Sequence, residues 1–535
     1  MKRYSLRPAF AAFVLLVVAI GGGCSFGQSG IAPPANRIFL PAGMAADTDA
    51  DFLYVVNSNS DLRFNAGTVV AVPALNQNNV LAIRALSTTA PCTKTRFSRT
   101  EAVPDDYCCI DMVDSNIINC NEPQFVQSDA TIQIGSFGGA IQLQRYLRDP
   151  NNPSSEVVRR LFVAVRAEPS ITFADATVAD VANAGGGTQK VVSMRCTGPK
   201  QNGPDQPINP FCDDTWKVRR HNGDSLGSFD LPEEPHVLAL DNELGALYIG
   251  HLTVAANSAI QGGGVSTLDV RDPQNESSVR FAGMTQNAFL PATLSQAVAV
   301  LSLAPAALAT DPVTELSQLC KDPQNPLPGT RVYATSRYTT AISGMVLNTA
   351  SAACDDWTPT PPGRDLTLLP AESFYSSVFL PHGADIRGIL FSDSPPRAYV
   401  LHRNDADTLT NPAALVVLDR RVQADGLPAN TPMDVLEVCG GPTAMQWDPS
   451  GRNRIFITCY DDGQIYVVDP TALVVTAIID AGAGPTSLVF SPLDPTVAYV
   501  ASFANSHLSV IDLAPGSPTE NHVVMRIGLP HGYGE

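Results

Sequence analysis

Gly484-Pro485-Thr486-Ser487-Leu488-Val489-Phe490, followed by Ser491-Pro492-Leu493-Asp494-Pro495 and then Tyr499-Val500-Ala501, is the stretch on which the fold turns. A Gly-Pro turn opens an apolar strand, a Pro- and Asp-rich turn ends it, and an aromatic residue opens the next strand. Residues 508–512 and 522–527 supply a third and a fourth strand. The preceding stretch has the same plan: Gly441-Pro442-Thr443-Ala444-Met445, the turn Asp448-Pro449-Ser450-Gly451, then strands at 455–458, 464–469 and 474–479.

The aromatic strand recurs at Tyr54, Phe162, Tyr248, Tyr333, Tyr399, Phe456 and Tyr499, at spacings of 108, 86, 85, 66, 57 and 43 residues. One unit is therefore repeated with insertions that are longest near the N-terminus. Four short strands with turn punctuation, repeated at 40 or more residues, mark a β-propeller blade. One such sheet cannot cover both of its faces, whereas a ring of them packs each face on a neighbour. The sequence thus predicts an all-β chain: a seven-bladed β-propeller over residues 37–535 with disulfide-stapled loop insertions at about 87–129 and 196–229. The aromatics are expected between blades. Ring closure stays open, because Arg37-Ile38-Phe39-Leu40-Pro41 and Arg526-Ile527-Gly528-Leu529-Pro530 both look like outer strands leading into a Pro turn.

Composition bounds the function. Charged residues are 16% and hydrophobic ones 44%, while 43 Pro and 39 Gly favour a turn-rich globule over disorder, collagen or coiled coil. A formal charge of −18 without a Lys/Arg cluster leaves no footprint for nucleic acid. Leu290–Thr310 is the most apolar internal stretch, but Gln296 and Pro305 interrupt it, so it reads as buried strand plus loop.

Residues 1–23 read as a signal peptide: Lys2, Arg3 and Arg7 form a basic start, 9–20 an apolar stretch too short to span a bilayer, and Gly21-Gly22-Gly23-Cys24 follows. The pattern resembles a bacterial lipoprotein lipobox, which implies acylation of Cys24, a linker over 24–36 and, with Ser25 next, the outer membrane, facing the periplasm or the cell surface. The alternative is a secreted protein cleaved nearby. Cleavage would leave 31 basic against 52 acidic residues, a charge of −21.

Ten further cysteines, an even number without Cys-x-x-Cys, suggest disulfides in an oxidising compartment. Repeat position pairs Cys439 with Cys459, and Cys196 with Cys212 and Cys320 with Cys354 are expected to pair as well. Two more bonds are expected among Cys92, Cys108, Cys109 and Cys120, where adjacency disfavours Cys108 with Cys109.

Gly-Pro-Thr, Tyr-Val-Ala-Ser and Ser-Val-Ile-Asp in the last unit, with Tyr54-Val55-Val56-Asn57 in the first, resemble the YVTN-type propeller repeat of bacterial secreted proteins and lipoproteins. The resemblance is closest over 440–514 and extends to 380–438, 231–284 and 37–76. It implies the fold. Related propellers include lactonase-like enzymes, haem-binding domains and non-enzymatic scaffolds, so the fold does not choose a function.

Three motifs invite chemistry. Gly223-Asp224-Ser225-Leu226-Gly227 satisfies a nucleophile-elbow pattern, but the polar run 217–222 before it is no elbow strand. Asp47, Asp49 and Asp51 alternate as in a calcium loop, yet lack its Gly and its final Glu and occupy the turn between first and second strands. The histidines of Pro235-His236, Pro381-His382 and Pro530-His531 fall at one repeat position, where one blade crosses to the next, and there converging imidazoles would suit a transition metal. The expected function is a lipid-anchored, non-enzymatic binding scaffold of the cell envelope, with a protein or envelope component as partner. The alternative is a metal-assisted, lactonase-like hydrolase using His236, His382 and His531 at the channel mouth. No catalytic residue and no cofactor is legible.

Overall fold

The structure is a computed structural model that describes residues 30–87, 90–94, 103–182, 187–197, 210–219, 231, 234–242, 244–252, 264–275, 279–286, 298–302, 330–335, 340–347, 366–368, 373–375, 385–403, 412–424 and 428–530. Among these residues the architecture is all-β, with a single α-helix at Gln77–Leu86.

The strands form antiparallel meanders in chain order, beginning with Pro41–Asp47, Phe52–Asn57, Gly67–Pro73 and Ile132–Ile134, and ending with Pro485–Phe490, Val497–Ser502, His507–Asp512 and His522–Ile527. Of the two candidate outer strands, residues 522–527 pair with 507–512 as the fourth strand of the last meander, and 37–40 are not a strand. The third and fourth meanders share one sheet, because Arg280–Gln286 runs parallel to Leu366–Leu368. The apolar stretch at 290–310 contributes the strand Val298–Ser302, its other residues lying outside those described. No described helix is long and apolar enough to cross a membrane.

First strands sit side by side. Pro41–Asp47 lies against Gly138–Leu147, which lies against Pro235–Asp241, and the succession continues through Val298–Ser302, Ile386–Asp393, Pro442–Trp447 and Pro485–Phe490, which lies against Pro41–Asp47. Gly43 shows how close the approach is, since a Cβ there would overlap the Gly139 carbonyl oxygen. The repeated aromatics are all buried. Several reach the next unit's first strand: Tyr333 meets Phe391 at 5.2 Å, Tyr399 meets Trp447 at 5.4 Å and Phe456 meets Phe490 at 5.3 Å between ring centroids. Offset and edge contacts of this kind add about 0.5–1.5 kcal/mol to the burial itself.

The first insertion does more than fold on itself. Cys108–Ile110 and Ile118–Cys120 form a hairpin that joins the outer edge of the last sheet, with Ile118, Asn119 and Cys120 running parallel to Met525, Arg526 and Ile527. Disulfides Cys92–Cys109 and Cys108–Cys120 fasten this clasp, and Cys196–Cys212 closes the second insertion. Cys24, Cys320 and Cys354 lie outside the described residues. Disulfides suit an oxidising compartment.

Carboxylates tie the clasp and helix to the last unit. Burial opposes ionisation of Asp111, but hydrogen bonds from Asn119 Nδ2 and the Val113 and Asp114 N–H groups, with Arg526 at 2.8 Å, outweigh it and hold its pKa below the usual value. Asp494 is lowered in the same way by Thr496 and the Gln77 N–H, again against burial. A depressed carboxylate contributes stability above its unfolded pKa, about 3.9, and loses it as pH falls through the lower folded value. Exchange protection at Ile118–Cys120 is therefore expected to drop below about pH 4, with a shallower pH dependence in Asp111→Asn. Protection unchanged down to pH 2 would refute this role.

Candidate functional site

The sequence points to the end of the molecule where first strands begin. There the register slips by one residue after the opening position, between Pro41 and Gly43, Pro235 and Val237, Ile386 and Gly388, Pro442 and Ala444, and Pro485 and Ser487. Ala42, His236, Arg387, Thr443 and Thr486 thus occupy bulges, which re-aim side chains. Thr443 Oγ1 donates to Pro485 O at 2.8 Å and Thr486 Oγ1 to Pro41 O at 3.2 Å, so at these units the bulge residue ties its unit to the next. Arg387 Nη2 donates to the buried Asp385 at 2.6 Å.

His236 is half-buried on its bulge. His382 and His531 lie outside the described residues. Strand register nevertheless assigns the position equivalent to His236: Pro235 faces His251 and Ile386 faces His402, so in the fifth unit that position belongs to Arg387. Pairing, and not a Pro-His dipeptide, defines the repeat position. Among the described residues no group of three His, Cys, Asp or Glu is placed to hold a metal. Ser225 and its glycines also lie outside the described residues.

A second set of polar residues, unmarked by any motif, sits at the end of the aromatic strand in five units, facing the first strand's opening: Asn57, His251, His402, Cys459 and Ser502, all buried. Their work is architectural. Asn57 Nδ2 donates to Arg37 O at 3.0 Å and to Thr68 Oγ1 at 2.8 Å, and its Oδ1 accepts from Phe39 N–H at 3.1 Å. Ser502 and Ser509 hydroxyls both donate to Ala481 O, at 2.8 and 2.7 Å. His251 Nε2 bonds Ser266 Oγ at 2.8 Å. In the sixth unit the tie is covalent, the Cys439–Cys459 disulfide, with Cα atoms 5.7 Å apart. Through Asn57, Ser502 and Cys459 the chain segment entering a unit is bound to the end of that unit's second strand. The signal available in sequence was a polar residue closing each apolar Tyr-Val-like run. Replacing Cys439 and Cys459 together by Ser is expected to lower stability by about 3 kcal/mol in chemical denaturation, the chain-entropy value for a loop of this size.

The three aspartates are bound by the second unit. Arg159 Nε donates to buried Asp47 at 2.5 Å, Arg145 pairs with Asp49 at 3.1 Å, and Lys190 pairs with Asp51. Asp47 also accepts the Asp49 N–H at 3.1 Å, the Asx-type turn expected of this residue type. Asp462 likewise accepts the Gly440 N–H at 2.7 Å, next to Cys439.

No family model matches this chain, and no curated protein matches it. Solved structures similar to it include hydrazine synthase of Kuenenia stuttgartiensis, at 10% identity and TM-score 0.44, covering 92% of this chain and 99% of that one. The β-propeller domain of Cps50 (Swd1) from Myceliophteria thermophila matches at 8% identity and TM-score 0.37, covering 90% and 98%. A functionally unknown protein from Desulfotomaculum acetoxidans matches at 10% identity and TM-score 0.29, covering 55% and 66%. At these identities any functional reading rests on the chain's own residues.

Proposed function

We propose that the chain is a seven-bladed β-propeller lipoprotein of the bacterial outer membrane, held by acylated Cys24, and that it binds a protein or envelope component without catalysing a reaction. The ring count is supported by the succession of first strands from Pro41–Asp47 to Pro485–Phe490, whose last member lies against its first. The binding role is carried by one observation: the clasp and the helix beside it turn four large apolar side chains to solvent. Leu81 and Leu86 on the helix and Met112 and Val113 at the hairpin tip are 60%, 89%, 67% and 91% exposed. Arg84 joins the two elements by donating to the Ser115 and Asn116 carbonyls. Neighbouring exposed apolar residues on a disulfide-fixed support are a feature of protein-binding surfaces.

Cross-linking in intact cells tests this. The wild-type chain is expected to give a discrete adduct that Met112→Asp with Val113→Asp abolishes while leaving the folded protein at normal abundance. An adduct indifferent to those changes sinks the clasp as the binding surface. The half-buried His236 on its bulge keeps a metal-assisted hydrolase as the second reading. Stoichiometric transition metal in purified protein, lost in His236→Ala, would favour that reading over the scaffold.

A further inference from the structure

We infer that the end of the molecule where first strands begin is turned toward the bilayer, with Ile31 and Leu62 seated at the lipid surface. This rests on the acylation of Cys24 proposed above.

The argument starts where the described chain begins. Gly30 packs against Asn65, and the Asn65 N–H donates to Ile31 O at 3.0 Å, so the chain emerges beside the loop between the second and third strands of the first unit. That loop is held in shape: Asn59 Oδ1 accepts the Phe64 N–H at 3.0 Å, and Asn59 Nδ2 donates to Phe64 O at 2.8 Å and to Ser136 Oγ at 2.9 Å. Because Pro41 pairs with Asn57, the loop lies at the end where first strands open. Gly30 lies six peptide steps beyond Cys24. Fully extended they reach about 20 Å, so acyl chains on Cys24 keep this end near the headgroups.

The surface fits that placement. Ile31, on the emerging chain, is 71% exposed, and Leu62, on the loop beside it, is 62% exposed. Asp61 and Arg63 beside Leu62 pair at 3.4 Å, so their charges offset each other on this loop. The clasp tip faces the other way. Ile118 lies beside Met525 and Cys120 beside Ile527, while His522 pairs with Asp512 at the far end of the last unit, so residues 111–117 project from the end opposite Pro485. A strand of six residues spans about 20 Å, which separates the two ends by at least that distance.

The test uses the full chain, acylated in cells, extracted and reconstituted into vesicles of phosphatidylethanolamine and phosphatidylglycerol containing spin-labelled phosphatidylcholine. A fluorophore attached at Leu62→Cys is expected to shift to the blue and to be quenched several-fold more than one at Val113→Cys, with wild-type chain as the labelling control. Equal quenching at both sites, stronger quenching at 113, or quenching at neither would overturn the orientation. The mass of the N-terminal peptide reports separately on the anchor. An unmodified Cys24 removes both anchor and orientation, whereas an acylated Cys24 with the wrong quenching pattern removes the orientation alone.

Discussion

Replacing Asp47 by Ala is expected to destabilise the protein by about 3–5 kcal/mol, the range for stranding one member of a buried ion pair. Arg159 has a side chain only 6% exposed and donates its Nε to Asp47, while Arg145 stands 3.7 Å from the same carboxylate. Without Asp47 the buried Arg159 guanidinium loses its carboxylate, while the more exposed Arg145 keeps Asp49. Tyr54, whose hydroxyl is pushed above its ordinary pKa chiefly by burial and then by Asp47, shares this pocket. Asp47→Ala combined with Arg159→Met removes both members and should recover most of the loss, since an apolar replacement of a whole buried pair is often neutral. A denaturation midpoint for the single variant within error of wild type would show that the pair does not hold the first two units together.

Tyr499→Ala is expected to have an effect of similar size, about 3–5 kcal/mol for emptying a buried aromatic site. The ring is fully buried in a cluster that draws Val55, Val70 and Leu75 from the first unit and Leu508, Val510 and Met525 from the last. Its hydroxyl accepts the Leu75 N–H at 2.6 Å, and Ser491 Oγ donates to Leu75 O at 2.7 Å. Tyr499→Phe separates packing from hydrogen bonding: it keeps the ring and strands the Leu75 N–H, for about 1–3 kcal/mol. Hydrogen exchange at Leu75 should quicken in both variants. A Phe variant as stable as wild type would assign the whole effect to packing.

The units were legible because each repeats one aromatic beside one turn, and the strand pattern from Tyr54 to Tyr499 needs only local sequence to be seen. The polar ties were not, since Asn57, His251, His402, Cys459 and Ser502 answer one geometric need with four chemistries, so no motif marks them. Asp47, Asp49 and Asp51 were readable as a turn. Their partners Arg159, Arg145 and Lys190 lie about a hundred residues onward, where only the packing of one sheet on another brings them close. The clasp escaped for the same reason: three residues that pair with a strand some four hundred positions later leave no local pattern. In the fifth unit the register places Arg387 where His236 stands in the third, while His382 lies outside the described residues.

The seam between the first and last units joins Leu40 to Ser506, 466 residues apart, and places Ile118–Cys120 on the final strand. Contacts so distant in sequence slow folding, because loop entropy is lost before they reward it. At ribosomal rates of about 5–20 residues per second, roughly 20–90 seconds pass between synthesis of the first half of this joint and the second. Val55, Val70 and Leu75 have no native cover in that interval, so the nascent chain depends on holding factors longest at its earliest unit. A chain ending before residue 485 would carry the same bare flank permanently, an exposed apolar face open to association with other chains.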